Sequence, residues 1–167
     1  MKVFLIGFMG SGKTTIGKKL ANYLKYEFID LDKLIESKAG MSIVSYFELY
    51  GEGAFRELER DILQKSEFPE NVIIATGGGA PCFGDNMEWM NKNGLVAYLS
   101  LSPKALASRL EHSKTDRPLI RHLKGDELID FISSKLKDRE VYYNQAKYVV
   151  SASDLTAERL SFYLNLG

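Results

Sequence analysis

The chain of 167 residues has little cysteine, proline and tryptophan, and neither sign of charge is in excess. Cys82 is the single cysteine, and one thiol excludes both a disulfide framework and a cysteine-based zinc site. Lysine plus arginine number 22 and aspartate plus glutamate number 22, a balance that argues against a protein that coats nucleic acid. We therefore expect no nucleic-acid partner, while a local basic pocket for a small anion remains compatible with this balance.

Long hydrophobic runs are also missing from the sequence. The apolar run at residues 3–6 is followed at once by Gly7, so it is too short for a secretory leader or a membrane span. We expect a cytoplasmic protein with no membrane partner. The length and the 45% hydrophobic content fit one domain over residues 1–167, and the balanced charge favours a monomer.

Short apolar runs alternate with longer amphipathic stretches, which is typical of βα units around a parallel sheet. Most of the runs are nearly continuous and rich in β-branched residues, as strands covered on both faces are. Five strands are predicted, at residues 3–6, 28–29, 72–75, 95–99 and 148–150. Between them, Gly40, Gly51 and Gly94 each follow a helix-like run, where a left-handed residue is expected.

The first strand runs into a G-x-x-x-x-G-K-[ST] pattern made by Gly7, Gly12, Lys13 and Thr14. An amphipathic stretch at residues 14–24 follows, which gives the strand–loop–helix order of a phosphate-binding loop. Backbone N–H groups of such a loop surround phosphate oxygens, the lysine reaches the β- and γ-phosphates, and the hydroxyl ligates magnesium. The pattern predicts a nucleoside triphosphate with Mg²⁺, and it leaves open whether water or an alcohol accepts the phosphoryl group.

Two acids, Asp30 and Asp32, close the second apolar run. Ligands of open parallel sheets bind beyond the carboxyl ends of the strands, and residues two apart in an extended chain point the same way. One acid could then support the magnesium water shell while the other meets an alcohol. The alternative is that Asp32 caps a helix that begins near Lys33.

Three glycines, Gly77, Gly78 and Gly79, follow the third strand, and close approach of a ligand to the backbone explains them better than a plain turn. No aspartate stands at that strand end, which weakens the interpretation as a motor ATPase or a signalling GTPase. Arg56 and Arg139 lie on charged helical stretches, the second at residues 127–146. By local pattern alone each is a solvated arginine on a helix surface.

The stretch at residues 111–125 is rich in histidine, lysine, arginine and aspartate, and it contains Arg117 followed by Pro118. One interpretation is an exposed surface loop. The other is a mobile lid over a polyanionic substrate. The composition alone does not decide between them.

Taken together, these segments resemble the shikimate kinase family over essentially the whole chain. The family pattern is matched in order by the phosphate loop, the D-x-D pair, a G-E-x-x-F-R segment at residues 51–56, the triple glycine, an R-P-L lid at residues 117–119, and R-x-x-x-Y at residues 139–143 followed by Ala146. The resemblance implies a three-layer P-loop NTPase fold with a lid. It also implies ATP-dependent phosphorylation of the 3-hydroxyl of shikimate in chorismate biosynthesis, with residues 33–60 as the substrate-binding region.

The resemblance also implies residue roles. Asp32 binds a hydroxyl of shikimate as base or orienter, and Asp30 lies in the second shell of the magnesium ion. The substrate is further held by Arg56, Gly77, Gly78, Gly79 and Arg139, with the two arginines on the carboxylate. Lys13 and Arg117 neutralise charge on the transferring phosphoryl group. ATP is bound by Gly10, Ser11, Gly12, Lys13, Thr14, Thr15, Arg109, Arg117 and Ser153.

One departure concerns the loop after the last strand, which is Ser151-Ala152-Ser153 where the family often has an acidic residue followed by arginine or glutamine. Adenine contacts from this loop are therefore open, and Arg109 could stack on adenine instead. Two other functions remain as alternatives: another small-metabolite kinase of the same fold, such as a gluconate or adenylate kinase, and a nucleotide-binding module without catalysis.

Overall fold

The computed structural model describes all 167 residues and contains one parallel five-stranded sheet with the order β2-β3-β1-β4-β5. The strands are β1 (Lys2–Ile6), β2 (Glu27–Asp30), β3 (Val72–Ala75), β4 (Leu95–Ser100) and β5 (Tyr148–Ser151). All five predicted strands are present, including the short run around Phe28. The predicted α/β sheet is therefore confirmed.

Seven helices flank the sheet. They are α1 (Lys13–Leu24), α2 (Leu31–Ala39), α3 (Ile43–Lys65), α4 (Asn86–Asn93), α5 (Pro103–Glu111), α6 (Gly125–Tyr143) and α7 (Ala157–Tyr163), with a short 3₁₀ turn at Ala80–Cys82. The positive φ of Gly51 (84°) kinks α3 and separates its first two turns from the rest. None of the helices is long and apolar enough to cross a membrane.

Two hydrophobic layers cover the two faces of the sheet. Strand residues alternate between them, as the period of two in a pleated strand requires. Phe4, Ile6, Ile74 and Tyr98 pack with α2 to α6 in a cluster of 23 buried residues. Val3, Leu5, Ile73, Leu99 and Val150 pack with α1 and α7 in a second cluster of 12. This is a three-layer arrangement with the sheet between two helical layers.

The register of the sheet brings three strand ends to one edge. Leu5 pairs with Ala75, and Ala75 pairs in turn with Asp30 on the other side. The chain therefore leaves β1, β2 and β3 side by side, at Gly7, Asp30 and Thr76. Loops that are 23 and 46 residues apart in sequence become neighbours for this reason.

Three local predictions differ from the structure. Gly94 does not adopt a left-handed conformation but is extended (φ −178°), and glycine is needed there because a Cβ would lie 2.5 Å from the Lys2 carbonyl oxygen. The helix expected at residues 127–146 spans Gly125–Tyr143 instead. The lid expected at residues 111–125 overlaps helix ends, since Glu111 closes α5 and Gly125 opens α6. Gly40 (φ 70°, ψ 18°) is left-handed as predicted, whereas Gly51 has a positive φ with an extended ψ of 171°.

Candidate active site

The phosphate loop between β1 and α1 offers a set of free backbone donors. Gly12 caps α1 in a left-handed conformation (φ 93°), which a side chain would strain, and no side chain caps the helix. The backbone N–H groups of Gly12, Lys13, Thr14 and Thr15 donate to no protein acceptor. The helix N-terminus adds partial positive charge, so the loop can bind an anion such as a phosphate chain.

The ammonium group of Lys13 lies inside this loop. Its Nζ donates to the carbonyl oxygens of Gly7 at 2.7 Å and Phe8 at 3.0 Å. Burial lowers the pKa of Lys13 to about 8, and the positive charges of Arg117 and Arg139 act in the same direction while Asp32 opposes them. Phosphate oxygens would supply the negative charge that this lysine lacks in the loop.

The hydroxyl of Thr14 donates to Asp30 Oδ2 at 3.2 Å, beside the free N–H groups of the loop. A hydroxyl and a carboxylate oxygen suit Mg²⁺, which binds through few protein ligands together with substrate phosphates. No group of three or more His, Cys, Asp or Glu residues could hold a metal by itself. The residues present therefore fit a magnesium ion that is bound together with a triphosphate.

The structure corrects the expected geometry of the two acids. The strand ends at Asp30, α2 begins at Leu31, and Asp30 itself caps the helix by accepting from the Lys33 N–H at 3.3 Å. The two acids therefore do not share one extended segment, and Asp32 is not the cap. Asp32 lies in the first helical turn, where burial and the charge of Asp30 raise its pKa and Lys13 opposes the rise.

The triple glycine after β3 forms one wall of the acceptor side, the region where the phosphoryl acceptor is predicted to bind. Each of the three glycines faces a different residue that is predicted to bind the substrate. A Cβ on Gly77 would lie 2.8 Å from Asp32 Oδ1, and one on Gly78 would lie 3.1 Å from Arg139 Nη1. A Cβ on Gly79 would collide with the guanidinium group of Arg56. The turn is therefore kept free of side chains so that an acid and two arginines can approach it.

Arg56 comes from the second part of α3 and is paired with Glu59, which sequence reasoning missed. Its Nη1 donates to Glu59 Oε1 at 2.8 Å, and Glu59 is only 1% exposed. Burial raises the pKa of Glu59 to about 7, and Arg56 opposes the rise. Glu59 shares a helix face with buried Phe55, Ile62 and Leu63, so an acid on an apolar stripe was the signal in the sequence.

Arg139 differs from Arg56 because it has no acidic partner. No carboxylate lies within ion-pair distance of it, and its guanidinium carbon lies 5.3 Å from the centroid of the Phe8 ring. Phe8 is a residue of the phosphate loop and is only 2% exposed. A cation on an aromatic face keeps its N–H groups available at its edge. Arg139 thus has no carboxylate partner within the protein, and its guanidinium group is oriented to bind one.

Arg117 lies on the loop between α5 and α6, and its charge contributes to lowering the pKa of Lys13 in the phosphate loop. Its Nε is buried without a hydrogen-bond partner. Burial lowers the pKa of Arg117, and the charge of Asp32 opposes the change, so the guanidinium group lies within the electrostatic reach of that acid. A cleft of about 820 Å³ lies between this loop and the adjoining ends of α5 and α6.

Arg109 connects the phosphate loop to the loop after β5. Its Nη1 donates to the Ser11 carbonyl and its Nη2 to the Ala152 carbonyl, both at 3.1 Å. Ser153 is exposed beside this contact, while Ser11 is buried and Gly10 packs on Leu110. The edge of the Arg109 guanidinium is occupied by backbone, which leaves its planar face for a ring.

Cys82 lies near the two arginines of the acceptor side. Burial raises the pKa of its thiol to about 11, although Arg139 and Arg56 oppose the rise. A thiol with that pKa is protonated at neutral pH and is a poor nucleophile. Cys82 is therefore not an activated nucleophile.

The chain is similar to known proteins over nearly its whole length. The family model described as shikimate kinase matches residues 9–164. A shikimate kinase of Bacteroides fragilis is 47% identical over 155 residues, which cover 93% of this chain and 87% of the relative. A shikimate kinase of Parabacteroides distasonis is 45% identical and covers 94% of this chain and 91% of its own length.

Solved structures give the same result. The crystal structure of shikimate kinase from Bacteroides thetaiotaomicron superposes with a TM-score of 0.95 at 43% identity and covers 99% of both chains. Shikimate kinase from Acinetobacter baumannii in complex with shikimate has a TM-score of 0.83 at 34% identity, covering 98% of this chain and 93% of that one. A gluconokinase from Sinorhizobium meliloti is 16% identical with a TM-score of 0.51, so it shares the fold alone.

Proposed function

The chain belongs to the shikimate kinase family, and on that premise we propose that it transfers the γ-phosphoryl group of ATP to the 3-hydroxyl of shikimate. The observation that carries the proposal is the wall of three glycines. Its members face Asp32, Arg139 and Arg56 in turn, which places one acid and two arginines around a side-chain-free backbone. A small hydroxylated carboxylate matches that set of groups better than a nucleotide does.

The donor half is the phosphate loop. The free N–H groups at the start of α1 bind phosphate oxygens. The Lys13 ammonium group, which donates to the Gly7 and Phe8 carbonyl oxygens, donates to the β- and γ-phosphates instead when ATP is bound. Thr14 would ligate Mg²⁺ and Asp30 would lie in its second shell, since the hydroxyl and the carboxylate already lie 3.2 Å apart. When bound there, the ion would supply positive charge to the phosphate oxygens.

The acceptor half is formed by Asp32, the triple glycine and two arginines. Arg139 and Arg56 bind the carboxylate, and the free backbone N–H groups of the glycines meet ring hydroxyls. Asp32 accepts a hydrogen bond from the attacking hydroxyl, and the hydroxyl proton passes to it as the new O–P bond forms and the bond to ADP breaks. Its raised pKa makes it a better proton acceptor than an ordinary aspartate.

Alignment and charge neutralisation supply most of the catalysis, because phosphoryl transfer has a loose transition state that needs little covalent help. Lys13 lies between the two halves, where both Asp32 and Arg139 affect its pKa. Arg117 adds a second cation above the transferring group. We infer that its loop is a lid that closes over ATP and excludes water as a competing acceptor.

The adenine ring is expected against the planar face of Arg109, next to Ser153. Both terminal nitrogens of Arg109 are held by backbone carbonyls, so the guanidinium plane is fixed before ATP arrives. The remaining loop contacts would be made by backbone atoms. A monomeric state and a cytoplasmic location stay predictions from the sequence.

A coupled assay tests the proposal. Purified protein with ATP and Mg²⁺ should release ADP only when shikimate is added, and phosphorus NMR should show a phosphate monoester on the 3-hydroxyl. Gluconate in place of shikimate should give no turnover above the ATPase background. Turnover with gluconate and none with shikimate would refute the proposal, and turnover independent of any acceptor would indicate an ATPase.

A matched pair of arginines on α3 tests the acceptor assignment. Arg56→Ala should raise the KM for shikimate, because Arg56 faces the triple glycine. Arg60→Ala should not, because Arg60 lies one turn further along the helix and pairs with Asp85 at 2.9 Å. Equal effects of the two changes would contradict the placement of the carboxylate beside Arg56.

A further inference from the structure

In the triple glycine, the backbone C=O groups are hydrogen-bonded within the protein and the N–H groups are not. All three carbonyl oxygens accept a hydrogen bond: Gly77 from the Ala80 N–H at 3.2 Å, Gly79 from the Cys82 N–H at 3.0 Å, and Gly78 from the hydroxyl of Tyr143 at 2.5 Å. None of the three N–H groups donates to a protein acceptor. The triple glycine therefore uses its carbonyl oxygens for contacts within the protein and leaves its N–H groups available for a ligand.

Of the three carbonyl groups, only that of Gly78 accepts its hydrogen bond from a side chain instead of a backbone N–H. It belongs to the peptide unit between Gly78 and Gly79, whose C=O and N–H point in opposite directions. A peptide with glycine on both sides rotates more freely than any other, because neither residue has a Cβ to restrict it. Without its side-chain partner this unit could flip and present an oxygen to the ligand in place of an N–H.

Tyr143 is well placed to prevent that flip. It is fully buried at the end of α6, and its ring centroid lies 4.9 Å from that of Tyr98. Burial raises the pKa of the Tyr143 hydroxyl, so the group keeps its proton and remains a donor at any working pH. It also lies one turn after Arg139 on the same helix face, so α6 delivers both groups to Gly78.

We propose that Tyr143 is a positioning residue for the acceptor: its hydroxyl holds the Gly78 carbonyl and thereby fixes the Gly79 N–H toward the hydroxylated substrate. The proposal rests on the proposed function, since it assumes that the acceptor binds against the triple glycine. Tyr143 acts through the Gly78–Gly79 peptide and does not itself touch the reacting atoms. The consequence is a selective effect on the acceptor rather than on ATP or on folding.

The test is Tyr143→Phe, with Tyr98→Phe as the matched control. Both changes remove one hydroxyl from neighbouring buried rings, and only the first removes the contact with Gly78. The loss of about one hydrogen bond predicts a KM for shikimate that is higher by about tenfold in Tyr143→Phe, with the KM for ATP and kcat nearly unchanged. Tyr98→Phe should leave all three parameters at the wild-type level.

Glycine-labelled protein gives a second measurement by NMR. In the wild type the Gly79 amide resonance should be single and should shift on titration with shikimate, whereas in Tyr143→Phe it should broaden or split as two peptide orientations exchange.

Should that variant not fold, slow solvent exchange of the Tyr143 hydroxyl proton in the wild type would support the contact and rapid exchange would refute it. Wild-type KM in Tyr143→Phe, or equal changes in both variants, would overturn the proposal. Absence of shikimate turnover in the wild type would instead refute the proposed function.

Discussion

The contrast between the two acceptor-side arginines leads to an unequal effect of their removal. Arg139 has no acidic partner and rests on the Phe8 ring, whereas Arg56 is joined to buried Glu59 at 2.8 Å. Replacing Arg139 by alanine should therefore impair acceptor binding and leave the fold intact. Replacing Arg56 should do both kinds of damage, because it leaves a carboxylate that is only 1% exposed without its partner.

The magnitudes follow from the hydrogen bonds involved. A hydrogen bond to a charged group contributes at least about 1.5 kcal/mol, so losing two from a bidentate pair in Arg139→Ala should raise the KM for shikimate by about 150-fold. Arg139→Lys keeps the charge and one of the two bonds, which predicts an increase of about tenfold. Removing one partner of a buried ion pair destabilises a protein by about 3–5 kcal/mol when the other partner stays charged. Because the pKa of Glu59 is about 7, its protonation offsets part of this cost near neutral pH, and Arg56→Ala should lower the melting temperature by about 5 °C.

Steady-state kinetics with each substrate varied in turn, together with thermal melting followed by circular dichroism, measures both effects. Arg60→Ala is the control for both, since its ion pair with Asp85 is largely exposed. The reasoning fails if Arg139→Ala leaves the KM for shikimate near the wild-type value. It also fails if Arg56→Ala melts at the wild-type temperature, because Glu59 would then not depend on its partner.

Three further predictions concern the same site. Asp32→Asn should lower kcat by about 10²- to 10⁴-fold, and near-normal kcat in the variant would contradict the role. Because the pKa of Asp32 is raised, kcat of the wild type should fall with decreasing pH through a pKa above that of an ordinary aspartate. The pH profile of the variant should lack this fall. Phe8→Leu removes the ring beneath Arg139 and should raise the KM for shikimate by about two- to fivefold with little change for ATP. Gly79→Ala should impair shikimate binding strongly, whereas Gly53→Ala, whose methyl group meets nothing within 4 Å, should not.

Local pattern was sufficient for the phosphate loop. The order of strand, glycines, lysine, threonine and helix is fixed by residues that are adjacent in the chain, so position in the sequence determines position in space. The strands could be predicted for a similar reason, because both faces of the sheet are covered and each strand is a short apolar run. The family resemblance then supplied the acceptor and the two arginines.

The acceptor side could not be derived from local pattern, because its parts come from four separate segments. Arg56 and Arg139 are 83 residues apart and each has the local pattern of a solvated arginine. Their environments differ because the fold provides each with a different neighbour, a buried acid for one and an aromatic ring for the other. The two acids were wrongly expected to share one extended segment for a related reason, since the exact residue at which a strand turns into a helix depends on packing.

The sequence by itself determined that the chain carries a phosphate loop in an α/β fold of the shikimate kinase family. The tertiary structure decided how the site is built, because the pairing of Leu5 with Ala75 and of Ala75 with Asp30 brings three loop starts to one edge. It also decided that the N–H groups of the triple glycine have no protein acceptor and that the hydroxyl of Tyr143 reaches the Gly78 carbonyl across 65 residues of chain. Hydrogen bonds between such distant residues are set by how the helices pack on the sheet, and no local pattern encodes them.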